Sequence, residues 1–175
     1  YACTGDFDRK DQYECKWLRG TYDAKDDSWK WKVVVTGKMN SRHKSGGINF
    51  VDGQLYWAAD ANGPPPHDRG IFRCDPADLA DPSKHTMLFN PKYPVALMII
   101  EDGVILAGHI ALESPFRTGI MFSPDMGKTW AQYDLKEFGK RTAVRFHRKN
   151  SDGWFRVDLR TGWVTPNEVL FIKPK

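Results

Sequence analysis

A repeat of about fifty residues constrains the fold of this chain more than any other feature of its sequence. The pair Asp-Gly occurs at residues 52–53, 102–103 and 152–153, each time before a run rich in apolar residues, and RGIF at 69–72 aligns with TGIM at 118–121. Fixed periods of this length are typical of propellers and solenoids. Because Asp-Gly favours tight hairpins and the flanks carry β-branched and aromatic residues, each unit is predicted to be strand, turn, strand.

The repeat predicts an all-β fold in which the whole chain, residues 1–175, is one β-propeller segment of about three to four blades, each of four antiparallel strands. The units are expected to span residues 1–40, 41–90, 91–139 and 140–175. Since RGTY at 19–22 lies one period before RGIF, the chain is expected to open in the middle of a unit. Closed propellers have about four to eight blades. The remaining blades are therefore expected from the same parent chain or from other subunits.

Composition and charge exclude several classes of protein. The chain is 41% hydrophobic and 13% aromatic, which is enough for a packed core. It contains no apolar stretch long enough for a membrane helix, so no membrane insertion is expected. Its net charge of +4 is spread over the chain without a Lys/Arg tract, so nucleic acid is not an expected partner.

The three cysteines, Cys3, Cys15 and Cys74, lack the spacing of metal ligands. No metal and no cofactor are therefore expected. The spacing of Cys3 and Cys15 fits a disulfide across one strand-loop-strand crossing, which would indicate an oxidising compartment. It fits two free buried thiols equally well.

The motif SPDMGKTW at 123–130, preceded by GIMF at 119–122, has the sharpest signature in the chain. It resembles the Asp-box of the sialidase-like (BNR repeat) β-propellers, with degenerate counterparts near 23–29 and 74–78. An Asp side chain can accept bonds from backbone amides in a tight turn, where Gly supplies a positive φ. The resemblance implies that the box joins the third and fourth strands of a blade, away from the ligand face.

The face opposite the Asp-Gly turns collects the loops that enter the first strand of each unit and the loops that leave the second. Cations recur in the entry loops, and acidic and imidazole groups follow in the exit loops. Such a funnel would concentrate positive field on an anionic ligand. The residues predicted to bind substrate are Arg42, Lys92, Arg141, Arg117 and Trp57, and those predicted to be catalytic are His43, His109, Tyr93, Asp60 and Glu113.

The resemblance implies a secreted, cell-surface or periplasmic carbohydrate-active protein that binds or cleaves an acidic glycan or polysaccharide. It would act as a sialidase-like glycosidase or as a polysaccharide lyase. The alternative is a non-catalytic propeller that binds glycans or proteins, as an adhesin or a phage-type structural subunit. The residues leave a structural role open as well, since Trp57 fits core packing and His43 fits a buried, satisfied imidazole.

Overall fold

A computed structural model describes residues 1–5, 14–61, 65–91, 94–108, 119–134, 141–161 and 168–173. The strands are, in chain order, β1 (Ala2–Gly5), β2 (Glu14–Asp23), β3 (Ser28–Lys38), β4 (Ser45–Val51), β5 (Gln54–Ala59), β6 (Gly70–Cys74), β7 (Thr86–Phe89), β8 (Leu97–Glu101), β9 (Val104–Gly108), β10 (Gly119–Ser123), β11 (Ala131–Asp134), β12 (Arg141–Phe146), β13 (Phe155–Thr161) and β14 (Glu168–Ile172). Two short 3-10 helices, Pro76–Asp78 and Pro82–Lys84, lie between β6 and β7. None of the described segments forms a helix long and apolar enough to cross a membrane.

The described strands form four antiparallel sheets, which confirms the all-β prediction. Sheet 1 has the order β1-β2-β3, sheet 2 the order β4-β5-β6-β7, sheet 3 the order β8-β9-β10-β11, and sheet 4 the order β12-β13-β14. Each sheet is a meander drawn from one continuous stretch of chain. The described strands do not show a closed propeller.

Two of the Asp-Gly pairs form the tight hairpins that the repeat predicts. Asp52 and Gly53 join β4 to β5 with φ of 49° and 77°, and Asp102 and Gly103 join β8 to β9 with φ of 49° and 76°. Both turn residues therefore have positive φ, as a type I′ hairpin requires. The third pair lies in a longer loop, 147–154, whose Asn150 side chain accepts from the amides of Asp152 and Trp154 at 3.1 and 2.9 Å.

The SPDMGKTW motif joins β10 to β11, the third and fourth strands of sheet 3. The carboxylate of Asp125 accepts from the amide and the hydroxyl of Thr129 at 2.8 and 2.7 Å, and from the hydroxyl of Ser123 at 2.9 Å. Gly127, with φ of 89°, donates its amide to Ser123 Oγ at 2.7 Å. These bonds hold the pKa of Asp125 below its usual value, with Thr129 as the main cause. The motif thus closes a hairpin.

Successive sheets pack face to face through three apolar cores. Trp17 of sheet 1 packs with Trp57 and Phe72 of sheet 2, while Tyr56 and Ile71 on the other face of sheet 2 belong to the core shared with sheet 3. The third core, between sheets 3 and 4, contains Val104, Leu106, Ile120, Phe146, Phe155, Val157 and Leu159. Alternate side chains of sheets 2 and 3 therefore enter different cores, which explains their near-continuous apolar strands.

The edge strands β1, β4, β8 and β12 lie next to one another in that order. Glycine permits the closest approach. A Cβ on Gly46 would lie 2.1 Å from the carbonyl oxygen of Ala96, and a Cβ on Gly47 would lie 2.5 Å from the amide nitrogen of Met98. The backbone of β4 therefore contacts the backbone that leads into β8.

Candidate functional site

The loop that enters β4 carries the first group of predicted site residues, and their charges are engaged inside the chain. Arg42 donates from Nε to Asp68 Oδ2 at 2.5 Å and from Nη1 to the carbonyl of Pro82 at 3.0 Å. Its guanidinium also lies 4.7 Å from the centroid of the Phe72 ring. Arg42 thus ties the entry loop of sheet 2 to the segment between β6 and β7.

His43, predicted to be catalytic, lies in the core. Its side chain is buried, and Nε2 lies 2.9 Å from the carbonyl oxygen of Leu79. Burial lowers the pKa of His43, and the nearby Arg42 guanidinium lowers it further. The ring of His85 packs against it at 5.5 Å, edge to face, and burial also lowers the pKa of His85. Both imidazoles are therefore neutral near pH 7, so Nε2–H of His43 donates to Leu79.

Trp57 and Asp60, on and after β5, are also bound within the fold. Trp57 is fully buried, stacks on Phe72 at 5.6 Å, and donates from Nε1 to the carbonyl of Arg42 at 2.7 Å. Asp60 accepts from Lys44 Nζ at 2.8 Å in a largely buried ion pair. The structure thus brings Arg42, His43, Trp57 and Asp60 into one region, where they bond to one another and to neighbouring backbone.

The other predicted site residues fall largely outside the described part of the chain. This applies to Lys92, Tyr93, His109, Glu113 and Arg117. Arg141 begins β12, and the surroundings of its side chain are likewise outside the description. Their roles stay predictions. Within the described residues, no three His, Cys, Asp or Glu side chains are arranged to hold a metal ion.

The long hairpin of β2 and β3 carries a cationic groove that the sequence reasoning missed. Arg19 pairs directly with Lys32, and Thr21 pairs with Lys30, so these side chains share one face of the hairpin. The groove has a volume of about 430 Å³ and is lined by Arg19, Thr21, Lys30, Trp31, Lys32 and Val34. Lys30 is bonded to Asp23 at 2.6 Å, whereas neither Arg19 nor Lys32 has an ion-pair partner among the described residues. Like charges directly opposite across a strand pair are destabilising, so this arrangement favours an anion between them.

Exposed aromatic rings lie on the opposite face of the same hairpin. Trp31 is 53% exposed and stacks on Trp29, itself 59% exposed, with ring centroids 5.9 Å apart and planes 26° apart. Tyr22 packs on Trp29 at 5.4 Å. A Cβ on Gly20 would lie 3.0 Å from both indoles, so Gly20 lets the two rings lie across β2. The alternation of Trp and Lys in SWKWK at 28–32 was the available signal, since successive residues of a strand face opposite sides and the pattern predicts an aromatic face and a cationic face.

No protein-family model matches this chain, and no curated protein matches it.

Proposed function

We propose that this chain is a non-catalytic β-propeller segment that binds an acidic glycan through the groove of the β2–β3 hairpin. The observation that carries the proposal is the pair of cations at Arg19 and Lys32, directly opposite each other and without carboxylate partners among the described residues. Trp31 lines the same groove. A guanidinium binds a carboxylate or sulfate in bidentate fashion. The groove thus presents the pair of charges that an acidic sugar needs, and Trp31 forms part of its wall.

The aromatic rings suit the apolar side of a sugar. The C–H face of a carbohydrate packs on the face of an indole, and Trp31 and Trp29 offer two rings in series along the hairpin. These rings also lie on an exposed hairpin rather than in a core. Because Trp29 and Trp31 alternate with Lys30 and Lys32, the rings lie on the face of the hairpin opposite the charges. A glycan would contact both by passing around the exposed edge of β3, with its carboxylates or sulfates turned towards Arg19 and Lys32.

The propeller part of the proposal is supported by packing and by the Asp-box. Each pair of successive sheets shares a core, and the edge strands β1, β4, β8 and β12 are neighbours, as the inner strands of propeller blades are. The bonding of Asp125 matches what the resemblance to sialidase-like propellers implies for that motif. The remaining blades would come from the same parent chain or from other subunits.

The internal bonding of Arg42, His43 and Asp60 favours binding over cleavage. A general acid or base must reach a proton on the substrate, and its pKa must suit the transfer. His43 is buried against Leu79, and Asp60 is held by Lys44. We also propose a secreted, cell-surface or periplasmic location, where acidic polysaccharides are exposed. Fractionation of the producing cells tests it, and a purely cytoplasmic signal would contradict it.

The test is calorimetric titration with uronate, sulfated and sialylated oligosaccharides. Replacing Arg19 and Lys32 by Gln together should weaken binding by about tenfold or more, because two charge-assisted contacts are lost. The matched control is R145Q/R148Q, which removes two exposed cations from sheet 4 and the loop after β12, and so lowers the net charge of +4 equally. Equal weakening in both double variants would show non-specific charge attraction and would contradict the proposal.

Measurements at higher salt and with a neutral glycan distinguish the contribution of the cations from that of the aromatic ring. Raising the ionic strength should weaken binding of the acidic glycan, since exposed charges are screened over about 8 Å at physiological salt. Replacing Trp31 by Ala should weaken the binding of acidic and neutral sugars alike, because stacking on the ring does not depend on the charge of the sugar. If Trp31→Ala binds both glycans with unchanged affinity, Trp31 does not contribute to glycan binding.

A further inference from the structure

The strongest unassigned feature outside the groove is the pair of thiols at Cys3 and Cys15. In the β1–β2 register, Cys3 lies opposite Trp17 and Gly5 lies opposite Cys15. Because side chains alternate along a strand, Cys3, Trp17 and Cys15 share one face of sheet 1. The two cysteines are therefore diagonal neighbours on adjacent strands, and each thiol affects the pKa of the other.

Their surroundings differ in a way that assigns each thiol a role. Cys3 is half-buried, whereas Cys15 is buried. The neighbouring Cys15 thiol, the backbone of Ser45 and the ammonium of Lys44 lower the pKa of Cys3 to about 7, with Cys15 as the largest cause. Cys3 and burial raise the pKa of Cys15, whose thiol lies 3.7 Å from the carbonyl oxygen of Lys38. Cys3 is thus the more accessible and more readily ionised thiol, and Cys15 is a protonated neighbour.

We propose that Cys3 and Cys15 form a redox-responsive pair, in which a small-molecule disulfide oxidises Cys3 first and Cys15 then closes an intramolecular bond. The thiolate of Cys3 attacks one sulfur of oxidised glutathione, forms a mixed disulfide and releases one glutathione thiolate. Cys15 then loses its proton to solvent and attacks the Cys3 sulfur, which releases the second glutathione thiolate. Two electrons pass from the protein to glutathione, and the new bond links β1 to β2.

The closed bond would act on the loop that enters β4. In the reduced chain, the sulfur of Cys3 lies 3.5 Å from the carbonyl oxygen of His43, which also accepts from Trp17 Nε1 at 2.6 Å. Oxidation removes the thiol proton and leaves the indole as the remaining donor. The redox state of the pair is therefore coupled to the loop that carries Arg42, His43 and Lys44.

The experiment is peptide mapping of the whole chain after equilibration with oxidised and reduced glutathione. Trypsin cleaves after Arg9 and Lys10, so residues 1–9 and 11–16 separate unless a disulfide links them. The linked peptide should appear in the wild-type chain as the buffer becomes oxidising, while Cys74 stays alkylatable. Absence of the linked peptide in fully oxidising buffer would overturn the proposal.

Single variants test the order of the two steps. C15S should stop at a mixed disulfide, with one glutathione on Cys3, whereas C3S should leave the buried Cys15 unmodified. C74S is the matched control and should oxidise like the wild type. The rate of glutathione addition to Cys15 in folded C3S is compared with the rate of addition to Cys3 in C15S. Equal rates would contradict the assigned roles. Far-ultraviolet circular dichroism checks that each variant is folded, and the wild-type peptide map decides the pairing if a variant is not.

The rate of alkylation gives an independent readout in the wild-type chain. The groups that face Cys3 are Cys15 and Lys44, and Lys44 is paired with Asp60. Cys3 should react with iodoacetamide with a midpoint near pH 7, following the pKa of about 7. Cys74, whose pKa burial raises to about 11, should react far more slowly over the same range. Equal rates for the two cysteines would contradict the activation of Cys3.

Discussion

At the scale of single residues, aromatic side chains divide between the core and the surface. Trp57 is fully buried between Trp17 and Phe72, whereas Trp29 and Trp31 are more than half exposed. All three are tryptophans in strands, so residue type and strand position do not separate them. What separates them is the neighbouring sheet, which covers β5 and leaves the end of the β2–β3 hairpin uncovered.

Truncation of Trp57 should therefore destabilise the fold. Replacing it by Ala removes a fully buried ring and the bond from Nε1 to Arg42, and should lower the free energy of unfolding by about 3–5 kcal/mol. Urea unfolding followed by circular dichroism measures the change. Trp29→Ala is the matched control, and as an exposed substitution it should cost under about 1 kcal/mol. Similar losses in the two variants would contradict the assignment of Trp57 to the core.

Burial of His43 predicts a loss of stability in mild acid. The folded chain lowers the pKa of His43, while the unfolded chain has the ordinary pKa of about 6.5. Protonation therefore favours the unfolded chain, and the contribution of His43 is complete above about pH 6.5 and is lost as the pH falls. The surrounding Arg42, Asp68 and His85 modulate this shift, and His85 adds to it in the same direction.

Urea unfolding at pH 7.5 and 5.5 measures that loss. His43→Gln should reduce the difference in unfolding free energy between the two pH values, and H43Q/H85Q should reduce it further. A difference as large in H43Q as in the wild type would show that His43 does not titrate on unfolding.

At the scale of elements, the hairpins follow local sequence and the site loops do not. Asp52-Gly53 and Asp102-Gly103 form tight turns and the SPDMGKTW motif closes β10–β11 because the necessary bonds lie within a few residues. The pair at 152–153 differs because Asn150 organises a longer loop. Arg42 was predicted to bind substrate, and its internal bonding was missed because its partner Pro82 lies forty residues away, in a 3-10 segment whose position depends on the folded sheet.

The β10–β11 hairpin should be weakened most by loss of the Asp125 carboxylate. Asp125→Ala removes the acceptor of the Thr129 amide and hydroxyl, so the midpoint of thermal unfolding should fall. Asp125→Asn keeps one acceptor oxygen and should lower it less. Asp26→Ala, at an exposed turn position, is the control and should change it little.

The contribution of Asp125 to the stability of the fold should also depend on pH. Its folded pKa is lowered below the ordinary value of about 3.9, so its contribution is present above that pH and is lost as the pH falls through the folded value. Differential scanning calorimetry at pH 7 and pH 2.5 should show the wild type and Asp125→Ala converging at the lower pH. A gap that is unchanged in acid would contradict the role of the carboxylate.

At the scale of the whole molecule, the arrangement of sheets depends on close backbone contact between β4 and the residues before β8. Gly46→Ala would place a Cβ 2.1 Å from the Ala96 carbonyl oxygen and force the two sheets apart. We expect a loss of more than about 4 kcal/mol in urea unfolding. Gly53→Ala is the matched control, because its Cβ would meet nothing within 4 Å. Placing alanine at the φ of 77° should cost only about 1–2 kcal/mol. Equal losses would contradict the packing of sheets 2 and 3.

We propose that the whole molecule binds acidic glycans without cutting them. The most direct measurement incubates the chain with a uronate or sulfated polysaccharide and follows, in one sample, the bound fraction, the reducing ends and the ultraviolet absorbance of unsaturated sugar. Our account predicts a bound fraction that falls with salt, together with constant reducing ends and constant absorbance. New reducing ends would show cleavage, and new absorbance with them would show a lyase; either result, or no binding at low salt, would contradict the account.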